Sequence, residues 1–258
     1  MRNQTLTFGL HSATGVAAAP TAQNGGVWGN DTRTQIEYTT RAPWRSICSL
    51  QMRFPNFSRV KWGAGAIVGR RVIMTAGHCV FDPQLGWAQS VVVTPGQNRA
   101  SGGPYGSYTT NLIRSVDPWV NGDAKGTLTQ QLSSPYDYGA VIVETPIGDQ
   151  TGLMSFGAVP DPALAGLIVY TAGYPVDEPL GTMWATAGQI QTVSPTRLDY
   201  LLDVAEGNSG GPVFDFDPTT NGRTIVAIHT AWTPQADSGV RITPAVAAKY
   251  RAWIQEFS

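Results

Sequence analysis

The chain has 258 residues, with 17 Lys and Arg against 18 Asp and Glu and a formal net charge of -1. That balance excludes broad electrostatic attraction to nucleic acid or an anionic membrane, and no apolar run approaches the roughly 20 residues that span a bilayer. Charged residues make up only 14%, while Gly 29 and Pro 18 point to a turn-rich chain of many short strands. The length allows one large β domain or two small barrels.

Residues 1–26 are rich in Ala, Thr, Asn and Gly with little periodicity, and read as a flexible leader or pro-segment. Met1–Pro20 has one early arginine and the small-residue stretch Val16–Pro20 but no apolar h-region, so it does not read as a signal peptide. From Val27 onward short runs of β-branched and aromatic residues alternate with turns. Strands are predicted over 46–53, 65–68, 72–75, 90–94, 108–116 and 138–144. A second set follows over 167–172, 182–193, 197–203, 212–214, 224–230 and 239–242. The stretches 95–107 and 121–135 read as exposed connections, the second joining two halves. Near the end Thr243 can cap a helix and Pro244 can take its first position. Val246, Tyr250, Trp253, Ile254 and Phe257 then share one face at helical spacing.

Three short stretches stand out chemically. In Gly207-Asn208-Ser209-Gly210-Gly211-Pro212 a serine sits among glycines, where small neighbours let a substrate backbone approach and a tight loop can take positive φ. A serine hydroxyl is a weak nucleophile alone and needs a base, which in turn needs an orienting group. His78, in Thr75-Ala76-Gly77-His78-Cys79, follows an apolar strand and a small-residue turn that would present its imidazole at a strand end. Asp137, before the apolar run Tyr138–Val143, would place a carboxylate where a strand enters the core, and such a group needs a partner. The Nδ1–H of His78 suits it. These three predict a catalytic triad, with an oxyanion hole from the backbone N–H groups of Gly207 and Ser209.

The same glycines also satisfy G-x-S-x-G, the nucleophile elbow of a different fold, which needs a strand-to-helix turn with acid and then histidine following the serine. Here a strand-like Pro212-Val213-Phe214 follows and only 49 residues remain. The order His78, Asp137, Ser209 decides against the elbow. No cluster of His, Cys or carboxylates appears at metal-ligand spacing, and the chemistry requires no cofactor.

Cys48 and Cys79 are the two cysteines. They fit a single Cys48–Cys79 disulfide in an oxidising compartment, the alternative being a pair of buried thiols.

These three blocks resemble the signature blocks of chymotrypsin-like serine proteases. Gly173-Tyr174-Pro175, Thr182-Met183-Trp184 and Gly188-Gln189-Ile190, with Asn30–Ile36 and Ala42-Pro43-Trp44, are similar to the bacterial glutamyl endopeptidases of staphylococcal and bacillus type. The resemblance covers roughly Val27 to the C-terminus. It implies an all-β fold of two six-stranded antiparallel barrels with the cleft between them. The barrels would span about 27–132 and 133–243, with a C-terminal helix over 244–257. It also implies a secreted, monomeric enzyme acting on protein or peptide substrates, with no nucleic-acid or membrane partner. It places His229 on the strand lining the S1 pocket, which receives P1, the residue on the acyl side of the cut bond. Asp203, Val204, Glu206 and Thr230 are the other S1 candidates. A histidine there can donate a charge-assisted hydrogen bond to a carboxylate, favouring Glu or Asp at P1. Asp203 lies where trypsin-like enzymes bind Lys or Arg, Val204 replaces a frequent hydroxyl residue, and Glu206 at the rim would repel an acid. Basic, apolar or broad specificity, and a catalytically inactive binding homologue, stay open on these residues. By the same resemblance Val27 would be the mature N-terminus of a zymogen after loss of 1–26.

Overall fold

The structure is a computed structural model that describes residues 10–11, 22–23, 26–99, 102–217, 219, 222–233 and 235–258. Most of the expected leader (1–9, 12–21 and 24–25) lies outside the described residues.

Seven strands form the first half: β1 Ile47–Arg53, β2 Lys61–Ile67, β3 Val72–Thr75, β4 Ser90–Pro95, β5 Tyr108–Thr110, β6 Ile113–Ser115 and β7 Gly139–Ile142. They pair in the order β5-β4-β1-β2-β3-β7-β6, a ring that is nearly closed. The second half has β8 Ile168–Gly173, β9 Trp184–Val193, β10 Arg197–Tyr200, β11 Pro212–Asp217, β12 Gly222–Trp232 and β13 Asp237–Arg241. Their order β9-β8-β11-β12-β13-β10 closes through β10 on β9, giving a six-stranded barrel. Both halves are filled by the β-branched and aliphatic residues that marked the strands in sequence. Leu50, Ile67, Ile73, Val91, Val93 and Val141 are fully buried in the first half, as are Val169, Leu198, Tyr200 and Val213 in the second.

The expected boundary at 132/133 falls too early, because Gly139–Ile142 pairs with β3 and β6 of the first barrel, and two further differences have local causes. The run 108–116 divides at Asn111 because the Leu112 N–H bonds the Thr110 hydroxyl (3.0 Å), so the first half has seven strands rather than six. The connection 121–135 is helical, with a 3₁₀ turn Asp123–Lys125 and an α-helix Leu128–Ser133. A reciprocal cap starts that helix: Gln130 N–H donates to the Thr127 hydroxyl, and Thr127 N–H donates to the Gln130 side chain.

The C-terminal helix Pro244–Glu256 starts as its sequence suggests, with the Val246 N–H donating to the Thr243 hydroxyl, a cap worth about 1 kcal/mol. It buries Val246, Tyr250 and Trp253. The Tyr250 hydroxyl lies 2.7 Å from the Gly139 carbonyl and 3.3 Å from the Thr75 carbonyl. The last helix therefore braces β3 and β7, the two strands from which His78 and Asp137 emerge.

Candidate active site

β3 and β7 are antiparallel with Gly139 opposite Thr75. Residues just before 139 therefore face those just after 75, which brings Asp137 to the 3₁₀ turn Gly77–Cys79. The meeting is bidentate. Asp137 Oδ1 accepts the His78 backbone N–H at 2.8 Å, and Oδ2 lies 2.9 Å from His78 Nδ1. Asp137 is buried while the His78 side chain is 30% exposed, so the acid is sealed behind an imidazole that reaches solvent. The bond to a carboxylate assigns the ring proton to Nδ1 and leaves Nε2 for the cleft. Burial opposes the imidazolium, but the Asp137 carboxylate, with a further contribution from the adjacent Cys79 side chain, raises the His78 pKa well above its ordinary value.

Ser209 comes from the second barrel and is held by its backbone. Its carbonyl accepts the Ala64 N–H of β2 at 2.8 Å and lies 3.6 Å from Cys79 Sγ, beside the His78 turn. The next residue, Gly210, has φ +83°, and a Cβ there would stand 2.1 Å from Thr75 Oγ1 and 2.9 Å from the Ala76 nitrogen. Only glycine lets the serine loop sit this close to the strand end that carries His78. Among the described residues the Ser209 hydroxyl makes no hydrogen bond, to His78 included. Such pairs are commonly loose without substrate and tighten in the complex.

The loop's amides divide into two sets. Asn208, Gly210 and Gly211 N–H groups are taken by the carbonyls of Ala205, His229 and Asn208. The Glu206 carbonyl accepts from Val176 N–H (2.8 Å) and the Asn208 carbonyl from Gly211 N–H (2.9 Å). In a trans peptide the N–H points opposite its carbonyl, so the amides of Gly207 and Ser209 are turned away from those contacts. No backbone acceptor takes either of them among the described residues. Gly207 holds φ +98°, and a Cβ there would stand 2.2 Å from the Tyr174 carbonyl oxygen.

A cleft of about 590 Å³ opens beside Ser209, lined by Leu132, Ala205, Glu206, His229, Thr230, Ala231, Trp232 and Thr233 as well. Three of the five S1 candidates, Glu206, His229 and Thr230, thus stand with the serine. The other two do not line it. The buried Asp203 carboxylate accepts the Trp28 N–H (2.7 Å), the Thr32 N–H (2.6 Å) and the Thr32 hydroxyl (2.5 Å). It fastens the segment Trp28–Thr32 to the second barrel. Val204 is fully buried and donates its N–H to the Gly26 carbonyl.

His229 is buried with Nδ1 3.1 Å from the Tyr200 hydroxyl. Burial pushes its pKa down to about 3, and the charges of His78 and Arg197 act in the same direction. It is therefore a neutral donor or acceptor at neutral pH, so the charge-assisted bond expected of it from sequence gives way to an uncharged one. Sequence reasoning passed over Arg197, which lies directly behind the cleft wall and donates to Thr230 Oγ1 at 3.0 Å. Its setting in Thr196-Arg197-Leu198 looks like any solvated strand end, so no local signal marks it.

The expected Cys48–Cys79 disulfide is absent: both are buried free thiols. Cys79 turns its sulfur toward Gly63 and the Ser209 carbonyl, whereas Cys48 faces the interior near Tyr174. Burial raises the Cys48 thiol far above its ordinary range, which makes it a packing residue.

Comparison with known proteins follows the same lines. Residues 63–222 match the trypsin-like peptidase domain. A glutamyl endopeptidase of Bacillus licheniformis is 32% identical over 234 residues, covering 88% of this chain and 68% of the relative. A protein of Bacillus subtilis named extracellular metalloprotease is 31% identical over 236 residues, covering 92% and 72%. Among the described residues of this chain, no three His, Cys, Asp or Glu side chains stand together as a metal-ligand set. Among solved structures, a Glu endopeptidase in complex with MPD superposes with a TM-score of 0.74 at 24% identity, covering 89% of this chain and 99% of that one.

Proposed function

As this chain belongs to the trypsin-like peptidases and is a serine endopeptidase, we propose that Ser209, His78 and Asp137 form its triad and that it prefers Glu or Asp at P1. The observation that carries the triad is the bidentate Asp137–His78 contact beside a serine loop whose two spare amides are turned from their neighbours. His78 Nε2 takes the Ser209 proton as Oγ attacks the scissile carbonyl. The Gly207 and Ser209 amides receive the oxyanion, and His78 returns the proton to the leaving amine. Water, activated by the same imidazole, then releases the acyl group from Ser209.

For P1, the supporting feature is the pair His229 and Thr230 on the cleft wall, two hydrogen-bonding groups suited to a carboxylate. Use of Asp203 by Trp28 and Thr32 speaks against a basic P1. An apolar P1 is the second reading, favoured by Leu132, Ala205, Ala231 and Trp232 on the same walls. The B. subtilis relative is by name extracellular, and we extend that location to this chain. We extend the same reading to removal of 1–26, with Val27 as the mature N-terminus beside Asp203 and Val204, checked by N-terminal sequencing of active enzyme.

The test is kcat/KM on matched peptides differing only at P1, with Glu, Asp, Gln, Lys, Phe and Leu. The expected result is Glu and Asp well ahead of all others. Phe or Leu in front would select the apolar reading, and Lys in front would refute both.

A further inference from the structure

We propose that Arg197, one layer behind the cleft wall, supplies the positive charge that selects an acidic P1 side chain, acting on it through the Thr230 hydroxyl. The inference rests on the acidic-P1 reading and names the source of its charge.

The lining of the cleft contains a carboxylate, Glu206, but no lysine or arginine. His229 is held neutral there by burial, so it offers a hydrogen bond without a charge. A P1 carboxylate entering this cleft would lose water and meet no lysine or arginine side chain on the wall itself, which is a large penalty. Arg197 is 8% exposed, and burial lowers its pKa. Its guanidinium donates to Thr230 Oγ1 (3.0 Å), Ser238 Oγ (3.0 and 2.6 Å) and the Ser134 carbonyl (2.8 Å). All these acceptors are neutral. Among the described residues no carboxylate is in ion-pair contact with it. Asp137 and Asp199, with the Tyr200 phenol, are the acidic groups that act on it at longer range. A buried cation without a contacting counter-ion is costly to keep, and an anion arriving one residue away would offset that cost.

Thr230 is the link. Its oxygen accepts from Arg197, which leaves its own O–H to donate, and its nearest intramolecular acceptor is the Ser238 carbonyl at a long 3.5 Å. Turning that proton toward a P1 carboxylate breaks almost nothing. Polarisation by the guanidinium makes the hydroxyl a stronger donor. Arg197 is thus a positioning residue that works through a wall residue.

A merely structural role is the rival, since Arg197 also ties the loop before Asp137 to β13 through Ser134 and Ser238. The ratio of kcat/KM for P1 Glu over P1 Gln separates the two, because these side chains share shape and differ in charge. Arg197→Met should lower the ratio about tenfold or more, and Arg197→Lys, which keeps a cation, should stay above it. Concentrations would be set by fluorophosphonate titration of the folded fraction. An unchanged ratio in Arg197→Met, or equal losses in Met and Lys, would overturn the assignment. If Arg197→Met does not fold, Thr230→Val removes the link while keeping the bonds to Ser134 and Ser238, and an unchanged ratio there is equally fatal. A wild-type ratio near one would sink the acidic-P1 reading itself and this assignment with it.

Discussion

The two sides of the cleft are built by different means. The His78 side is fixed by side chains, with both oxygens of a buried carboxylate gripping one residue and Tyr250 bracing the strands beneath. The Ser209 side is fixed by backbone, with carbonyls and amides of residues 205–211 engaged by β2, β12 and Val176. Side-chain fixing tunes charge, and here it raises the basicity of the imidazole. Backbone fixing aims dipoles, and here it leaves two amides turned from their neighbours. Losing a side chain on the first side should change the pH behaviour, whereas crowding the second should cost rate without moving the profile.

The largest expected effect is on the first side. His78→Ala should lower kcat by about 10⁶, as removal of a triad base does elsewhere. Asp137→Asn should cost about 10⁴ in kcat by misdirecting the ring proton. It should also move the acidic limb of the kcat/KM profile. In the proposed mechanism the working base is neutral His78, so activity should fall as pH drops through its raised pKa, above 6.5 in the wild type. Without the carboxylate that limb should shift to lower pH, and a limb that stays in place would show that Asp137 does not set it. The linked stability has the opposite sign: it is full below the unfolded value of about 6.5 and fades as pH rises through the raised folded one. On the second side, Gly207→Ala forces a methyl toward the Tyr174 carbonyl and displaces one amide. The expected loss is about 10²–10³ in kcat with an unshifted pH profile.

The smallest expected effect on rate is at Asp203. Asp203→Ala strands the Trp28 and Thr32 amides that its carboxylate satisfies, so a thermal melt should show about 1–3 kcal/mol lost. The P1 order should be unchanged in that variant. A switch of P1 preference would mean that Asp203 reaches the cleft after all.

Legibility in the sequence followed the same division. His78, Asp137 and Ser209 each sit in a contiguous block whose small or apolar neighbours advertise the proposed role, and most strands of both barrels were visible as β-branched runs between turns, while their closure into barrels came from the family resemblance. Residues whose role depends on distant partners were not visible. Asp203 is claimed by residues 171 and 175 positions away, and Arg197 reaches Thr230 and Ser238 across two strands. The short helix Leu128–Ser133 was hidden by its polar composition, although Thr127 and Gln130 carried its start signal. Cysteine count suggested a bridge, but strand geometry turns Cys48 inward and Cys79 toward Ser209.

The most direct test of the central claim is mass spectrometry of the enzyme after reaction with a fluorophosphonate at several pH values. One adduct, on Ser209, is expected, forming at a rate that rises with pH along the His78 titration and nearly vanishes in His78→Ala. An adduct on another residue, or labelling of Ser209 at full rate without His78, would contradict the account.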